Sequence, residues 1–340
     1  MAQYKKIDGQ CSNHLAKSKS QYFKEEHLEI ELFQRDSDLR HRQLTCIKNP
    51  GHEKLVPINE LTLDNFPLPL RHQCVMDYVT AFSPLVVRIK VKHTSSGRAK
   101  DDPFHKIVGR CVYRGATGCV DQVVDVKNIH EFPCKDDACI LSGTDHYVYG
   151  FIDVWTNRHV VFDTKEAQST EVEFFFDSPD RQGVVTLKGH DVRKDATGND
   201  DMVLLRCLSH DTDFIPKIHR LVEEAKVLGA AIPRSIKDSS MTDYAIVVSH
   251  PHGTLKTFSV GELMEYHKIP DKAGFLSRFL REHSWKHSHR LRVSIYTTPT
   301  CPGCSGAPVV TGYDDGWSWW KMCHSTADLV SGMQLAFTYR

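Results

Sequence analysis

From residue 84 onward the apolar positions come in short runs, many alternating with polar ones and rich in β-branched side chains. A period of two is the pattern of a strand with one buried face. Strands are predicted over residues 85–91, 106–113, 146–154, 171–176, 183–188, 202–207, 244–249, 292–297 and 307–311. Turn residues separate most of them, as in Arg114-Gly-Ala-Thr-Gly118, Ser178-Pro-Asp180 and Thr197-Gly-Asn-Asp200. Two stretches carry helical spacing instead: 218–228, with Leu221, Val222, Ala225 and Leu228 on one face, and roughly 272–283. Many short strands at this spacing predict a mainly-β fold, a sandwich or barrel, with a few helices.

The first 83 residues differ in texture. Residues 24–35 set Leu28, Ile30, Leu32 and Phe33 among charges and read as a helix, although Glu29-Ile-Glu-Leu32 equally alternates as a strand would. A polar, His-rich segment follows. Asn65-Phe-Pro-Leu-Pro-Leu70 reads as an extended connector, because each proline disfavours helix before it. A short helix is predicted over 72–82. The chain therefore divides into an N-terminal extension of unassigned role, 1–83, and a β-rich domain, 84–340, itself divided near 210–240.

The 340 residues carry 43 basic and 43 acidic side chains, a balance that gives no bulk reason to bind nucleic acid or an anionic membrane surface. No apolar run approaches the roughly 18–20 residues that span a bilayer. The first residues lack the apolar region of a secretory signal, so a cytoplasmic or nuclear location is expected. Eleven cysteines, an odd number in a long chain, then predict free thiols rather than a disulfide-stapled fold.

The candidate chemistry starts at Pro302-Gly-Cys-Ser-Gly-Ala-Pro-Val-Val310. A hydroxyl flanked by glycines, with an apolar strand after it, fits a tight nucleophile turn, or else an ordinary glycine-proline turn. Such a turn can aim the amides of Gly303 and Ser305 at one point, where two N–H donors would stabilise an oxyanion. A serine hydroxyl needs a base near neutrality, and the base needs an orienting carboxylate. His159, at the end of an apolar strand in Thr156-Asn-Arg-His-Val-Val161, and Asp201, at the head of another in Asp201-Met-Val-Leu-Leu205, supply those types.

These segments resemble the histidine, aspartate and serine motifs of the chymotrypsin-like (trypsin-like) serine peptidases, in that family's order along the chain. Gly115-Ala-Thr-Gly-Cys-Val120 is similar to the strand before the family's histidine. Val248-Ser-His-Pro-His-Gly253 with Ser259-Val-Gly261 is similar to the stretch before its serine. The resemblance covers about 84–340. It implies a chymotrypsin-like double β-barrel of two six-stranded barrels, the first supplying His159 and Asp201 and the second Ser305. It further implies a serine endopeptidase that hydrolyses peptide bonds through an acyl-enzyme. Ser305 would be nucleophile, His159 base and then acid, Asp201 its orienting partner, and Gly303 and Ser305 the oxyanion donors. The implied partner is a protein or peptide substrate, with no cofactor. The alternative is a latent or inactive protease-fold module that binds protein.

Departures from the family pattern bear on regulation and specificity. Cys304 stands where digestive members carry an aspartate that pairs with a freed N-terminus, so activation of that kind is not expected. Pro299 stands where trypsin-type members carry an acidic pocket base, so Arg or Lys preference is not supported. The stretch 120–154, with Cys134 and Cys139, is longer than usual and reads as a surface insertion.

Competing readings remain for several side chains. Asp200 competes with Asp201, and Cys304 with Ser305. Cys301 and Cys304 have a redox-like spacing, but a β-turn follows rather than a helix. Cys11, His14, Cys46 and His52 together offer two sulfurs and two imidazoles. Their second pair is loosely spaced and no hydrophobic pattern frames it, so scattered surface side chains and no bound metal are expected. His283, His287 and His289 read as a solvated basic face. His250 and His252 are expected near the second barrel's edge, and His324-Ser325 on a strand lining the cleft.

Overall fold

The alternating runs become strands in two antiparallel sheets. The computed structural model describes residues 28–100, 102–125, 141, 143, 147–194, 201–268, 291–312, 322–327 and 333–339. The extension supplies β1 (Glu31–Phe33), helix α1 (Ser37–Leu44), β2 (Val56–Pro57) and helix α2 (Gln73–Phe82). The first sheet is built from β3 (Val86–Val91), β4 (Tyr113–Asp125), β5 (Gly150–Asn157), β6 (Thr170–Phe174), β7 (Val185–Lys194) and β8 (Met202–Ser209). They run in the order β4-β3-β6-β7-β8-β5, and pairing of β4 with β5 closes a six-stranded barrel. β1 adds to the outside of β4.

The second sheet follows the path β12-β9-β10-β11-β14-β13. Its strands are β9 (Tyr244–Ser249), β10 (Thr257–Lys268), β11 (Leu291–Tyr296), β12 (Val309–Val310), β13 (Met322–Ala327) and β14 (Gln334–Tyr339). β2 pairs with β10. The fold is thus mainly β, with one closed barrel and a second, open sheet. Two closed barrels were the expectation. Among the described residues the ends of the second path touch at one isolated bridge, Pro308 with Cys323, rather than along a ladder.

Burial follows the sequence period. Along β8, Val203, Leu205 and Cys207 point inward and are fully buried, and the residues between them are half-buried. Each aliphatic side chain so buried contributes about 1.5–3 kcal/mol. The helix Phe214–Ala231 connects β8 to the second sheet region. Its inward face, Ile215, Ile218, Val222 and Ala225, joins the same core as Tyr78, Val79 and Phe82 of α2. Gly229 lets the two helices approach, since a Cβ there would lie 2.8 Å from the Tyr78 ring.

Several expectations change. Residues 114–118, read as a turn, form the first half of β4. Gly118 serves close packing there, because a Cβ would sit 2.6 Å from Val154 and 2.8 Å from Ile89. The strand predicted over 106–113 is a 3₁₀ turn, His105–Ile107, with the strand starting only at Tyr113. Where 24–35 is described, the strand alternative holds: Glu31–Phe33 pairs with β4. The proline stretch 65–70 is not extended throughout but ends in a 3₁₀ turn, Leu68–Leu70. Cys111 is disulfide-bonded, against the expectation of free thiols, while Cys46, Cys74, Cys119, Cys207, Cys301, Cys304 and Cys323 are free. The helix predicted over 272–283 lies outside the described residues. Among the described residues no helix is long and apolar enough to cross a membrane.

Candidate active site

β5 and β8 pair in a register that sets Asn157 opposite Met202. Asp201, just before β8, therefore meets the turn just after β5. Arg158 N–H and the Asn157 side-chain amide donate to the Asp201 carbonyl at 2.9 and 3.0 Å. The His159 amide donates to Asp201 Oδ1 at 3.0 Å, and His159 Nδ1 lies 2.6 Å from Asp201 Oδ2. His159 Nε2 lies 2.9 Å from Ser305 Oγ. The structure thus brings His159, Asp201 and Ser305 into one hydrogen-bonded line, each of them buried. Asp200 lies outside the described residues.

Burial by itself would raise the Asp201 carboxyl, but His159, Ser325 and the His159 amide outweigh it and hold the group below its ordinary value. An ionised Asp201 fixes the tautomer: Nδ1–H of His159 donates to the carboxylate, and Nε2 is left to accept from Ser305. Ser325 on β13 donates to the same Oδ2 at 2.7 Å. The Ser305 hydroxyl also lies 3.1 Å from the Ser325 carbonyl oxygen. Its one proton serves one acceptor at a time.

The loop after His159 is held by buried charge. Glu166 bridges Arg98 and Arg114, at 2.7 and 2.6 Å, all three side chains being fully buried. Arg98 donates to the His159 carbonyl at 3.0 Å, and Glu166 accepts from the Phe162 amide at 3.0 Å. Unpaired, such charges would be costly in this core; as a network they pin the loop.

The serine turn needs both its glycines. Gly303 has φ +102° and Gly306 φ +87°, in the region L side chains avoid. A Cβ on Gly306 would lie 2.1 Å from the Thr117 carbonyl, and one on Gly303 2.6 Å from the His250 carbonyl. Cys304 points away from His159. It is buried, donates to Ser249 Oγ at 3.3 Å, and burial pushes its thiol up to about 12. A thiol so placed is a poor nucleophile, so Ser305 and not Cys304 is the side chain presented to His159.

The amides of Gly303 and Ser305 do converge, and they converge on the protein's own backbone. Both donate to the carbonyl oxygen of Glu29, at 2.8 and 3.1 Å. Leu28 forms an antiparallel bridge with Thr326 on β13. The Glu29 side chain is buried beside the same strand: His324 Nε2 lies 2.5 Å from its Oε2, and Lys48 pairs with its Oε1. Lys48 also donates to Thr300 Oγ1 at 3.1 Å and Gln334 Oε1 at 3.0 Å. Burial works to raise the Glu29 carboxyl, yet Lys48 and His324 hold it down to about 2. Burial lowers His324 despite Glu29. Both directions fit a charged Glu29–Lys48 pair and a neutral His324, which donates Nε2–H to Glu29 while Nδ1 accepts from Tyr296 Oη at 2.7 Å.

Glu29, Lys48, Arg98, Arg114 and Glu166 escaped the sequence reading. Nothing marks Glu29 among the charges of Lys24-Glu-Glu-His-Leu-Glu-Ile-Glu31, and ion pairs whose partners lie 19 residues apart (Glu29 with Lys48) or 52 and 68 apart (Glu166 with Arg114 and Arg98) leave no local pattern. Ser325 carried a signal, since its strand was expected along the cleft. His250 and His252, expected near the second barrel's edge, lie in the turn after β9, and both are buried. His283, His287, His289, Cys11, His14, Cys134 and Cys139 lie outside the described residues.

No protein-family model and no curated protein matches the sequence. Among solved structures, the chain is similar to the Rv3671c protease in its inactive form, at 16% identity and a TM-score of 0.37, over 77% of this chain and 86% of that one. The active form from M. tuberculosis gives 16% and 0.38, over 77% and 78%. Deg5 gives 12% and 0.35, over 71% and 80%. These are distant likenesses of chain path to trypsin-like serine proteases.

Proposed function

We propose that the chain is a serine endopeptidase whose cleft is filled by its own residues 28–30. The observation that carries this reading is the Glu29 carbonyl, received by the Gly303 and Ser305 amides beside a Ser305 hydroxyl already bonded to His159. That is where the carbonyl of a scissile bond has to lie for attack.

In the reaction Ser305 Oγ forms a bond to the substrate carbonyl carbon as its proton passes to His159 Nε2. The two amides receive the oxyanion, and Asp201 stabilises the imidazolium. His159 then gives the proton to the leaving nitrogen and the C–N bond breaks, leaving an ester on Ser305. Water repeats the sequence, with His159 as base, and frees the acid and the serine.

Glu29 occupies the place of the residue before the scissile bond. Its carboxylate seat, made by His324 and Lys48, favours substrates with an acidic side chain there. The same occupancy supports a latent state: no other carbonyl reaches the donors until residues 28–30 leave. On this reading part of the extension 1–83 acts as a cover rather than as a separate module.

Incubation with an unfolded protein substrate, with products sequenced by mass spectrometry, tests the proposal. Cleavage that is absent from Ser305→Ala and His159→Ala supports it. A folded wild-type chain that cleaves neither the substrate nor its own Glu29–Ile30 bond, together with a folded Glu29→Lys that leaves the substrate intact, favours the inactive binding module instead.

A further inference from the structure

We propose that Cys46, His52, His252 and Cys301 form a structural zinc site that staples the N-terminal extension to the loops beside Ser305. It was not legible as a motif, because its halves lie about two hundred residues apart. Cys46 lies four residues before a short 3₁₀ turn, Pro50–His52, which ends on His52. His252 comes from the turn Pro251–Gly253 after β9, and Cys301 from the loop that leads to Ser305.

One ligand atom from each of the four lies within 4.8 Å of all the others. The two sulfurs are 3.7 Å apart, and Cys301 Sγ is 3.5 Å from His52 Nε2. Zinc bound tetrahedrally, with Zn–S about 2.3 Å and Zn–N about 2.05 Å, requires S···S of about 3.8 Å and S···N of about 3.6 Å. The observed spacings match a metal-bridged pair, and both cysteines are free. Two sulfurs and two imidazoles are a donor set of zinc's preferred kind. Four protein ligands leave no position for water, which marks a structural and not a catalytic ion.

The surroundings support the ligands as an outer shell does. His252 Nδ1 lies 2.8 Å from Glu31 Oε2, and that carboxylate also pairs with Arg42. Its other nitrogen, Nε2, is buried and has no hydrogen-bond partner at ordinary geometry among the described residues, which leaves a lone pair for a metal. The Asn49 amide donates to Cys46 Sγ at 3.4 Å, and the Asn49 side chain donates to Cys301 Sγ at 3.1 Å, as thiolates would require. Both histidines hold a left-handed backbone, φ +52° for His52 and +53° for His252. L side chains avoid that region, and it persists where something over-determines the conformation. The ion would hold Lys48, two residues from Cys46, in its place beside Glu29.

The test is metal analysis of the full-length chain purified from zinc-containing medium, beside Cys301→Ser, His52→Ala and the control Cys74→Ser. About one equivalent of zinc is expected in wild type and in the control, and less than about 0.2 in the two cluster variants. Replacement by cobalt in wild type should give the intense visible bands of a tetrahedral ion and sulfur-to-metal charge transfer. This readout does not depend on how the variants fold. Folded wild type with less than about 0.2 equivalents and no cobalt bands, a Cys46–Cys301 disulfide in place of metal, or zinc retained by Cys301→Ser would each overturn the site. None of these outcomes depends on whether Ser305 is reactive.

Discussion

The carbonyl oxygen of Glu29 accepts a hydrogen bond from the amide of Ser305 at 3.1 Å, and from that of Gly303 at 2.8 Å. A segment nearly three hundred residues upstream thus fills the position that a substrate carbonyl would take. The side chain of the same residue is buried between Lys48 and His324. The backbone contact requires no particular side chain, whereas the pocket contact requires a carboxylate.

Glu29 makes the folded state sensitive to acid. Its pKa is lowered from 4.5 to about 2, so the folded state binds fewer protons than the unfolded one in between. The contribution is fully present above pH 4.5 and is lost as pH falls through about 2. It is on the order of 3 kcal/mol. Unfolding free energy measured against pH should fall more steeply across this window in wild type than in Glu29→Gln. Parallel curves would show that the carboxylate is not held in this pair.

Substrate selectivity should follow the same contacts. Peptides with Glu before the scissile bond should be cleaved at least about 100-fold better than those with Ala, because an unfilled pocket leaves buried polar groups unpaired. His324→Ala should narrow the ratio by about tenfold, mainly through KM. Ratios of kcat/KM for paired peptides are the check, and equal ratios in both proteins would remove His324 from recognition.

Ser325→Ala removes a 2.7 Å donor to Asp201 Oδ2. Ser325 is one of the groups that hold Asp201 below its ordinary value, so its loss lets that carboxyl rise. The ionised form then disappears at a higher pH on acidification. The acid limb of kcat/KM should move upward, with a loss of about tenfold at neutral pH. A pH profile separates this from a merely structural effect, which would lower the whole curve without shifting it.

Much of the site was legible because its local determinants are local in sequence. Gly303 and Gly306 bracket Ser305, and His159 and Asp201 stand at the ends of apolar runs that become the adjacent strands β5 and β8. Five of the barrel's six strands, β3 and β5 to β8, were legible as alternating runs, and its closure was implied only by the resemblance. Strands β10 and β14 were not legible, and β13 was expected only through the family resemblance, at His324-Ser325. β10 mixes Glu262, Glu265, His267 and Lys268 among its apolar positions, and β13 buries polar Ser325 and Thr326. Long-range pairs such as Glu29 with His324, or Cys46 with Cys301, leave no periodicity to read. The glycines of β4 misled because packing and turning call for the same residue.

Glu166 should prove essential to the loop that carries His159. Glu166→Gln leaves Arg98 and Arg114 buried without their shared counter-charge. A loss of about 3 kcal/mol is expected. Denaturant unfolding measures it directly, and a change under about 0.5 kcal/mol would mean that the two arginines find other partners.

The most direct measurement is fluorophosphonate labelling of the full-length chain and of Glu29→Lys, each with and without Ser305→Ala. The charge reversal sets a second ammonium against that of Lys48 and should expel the segment. Slow labelling of wild type is expected, labelling at least about tenfold faster of Glu29→Lys, and none wherever Ser305 is replaced. Folded Glu29→Lys that refuses the label, or label that survives Ser305→Ala, would contradict the proposed function.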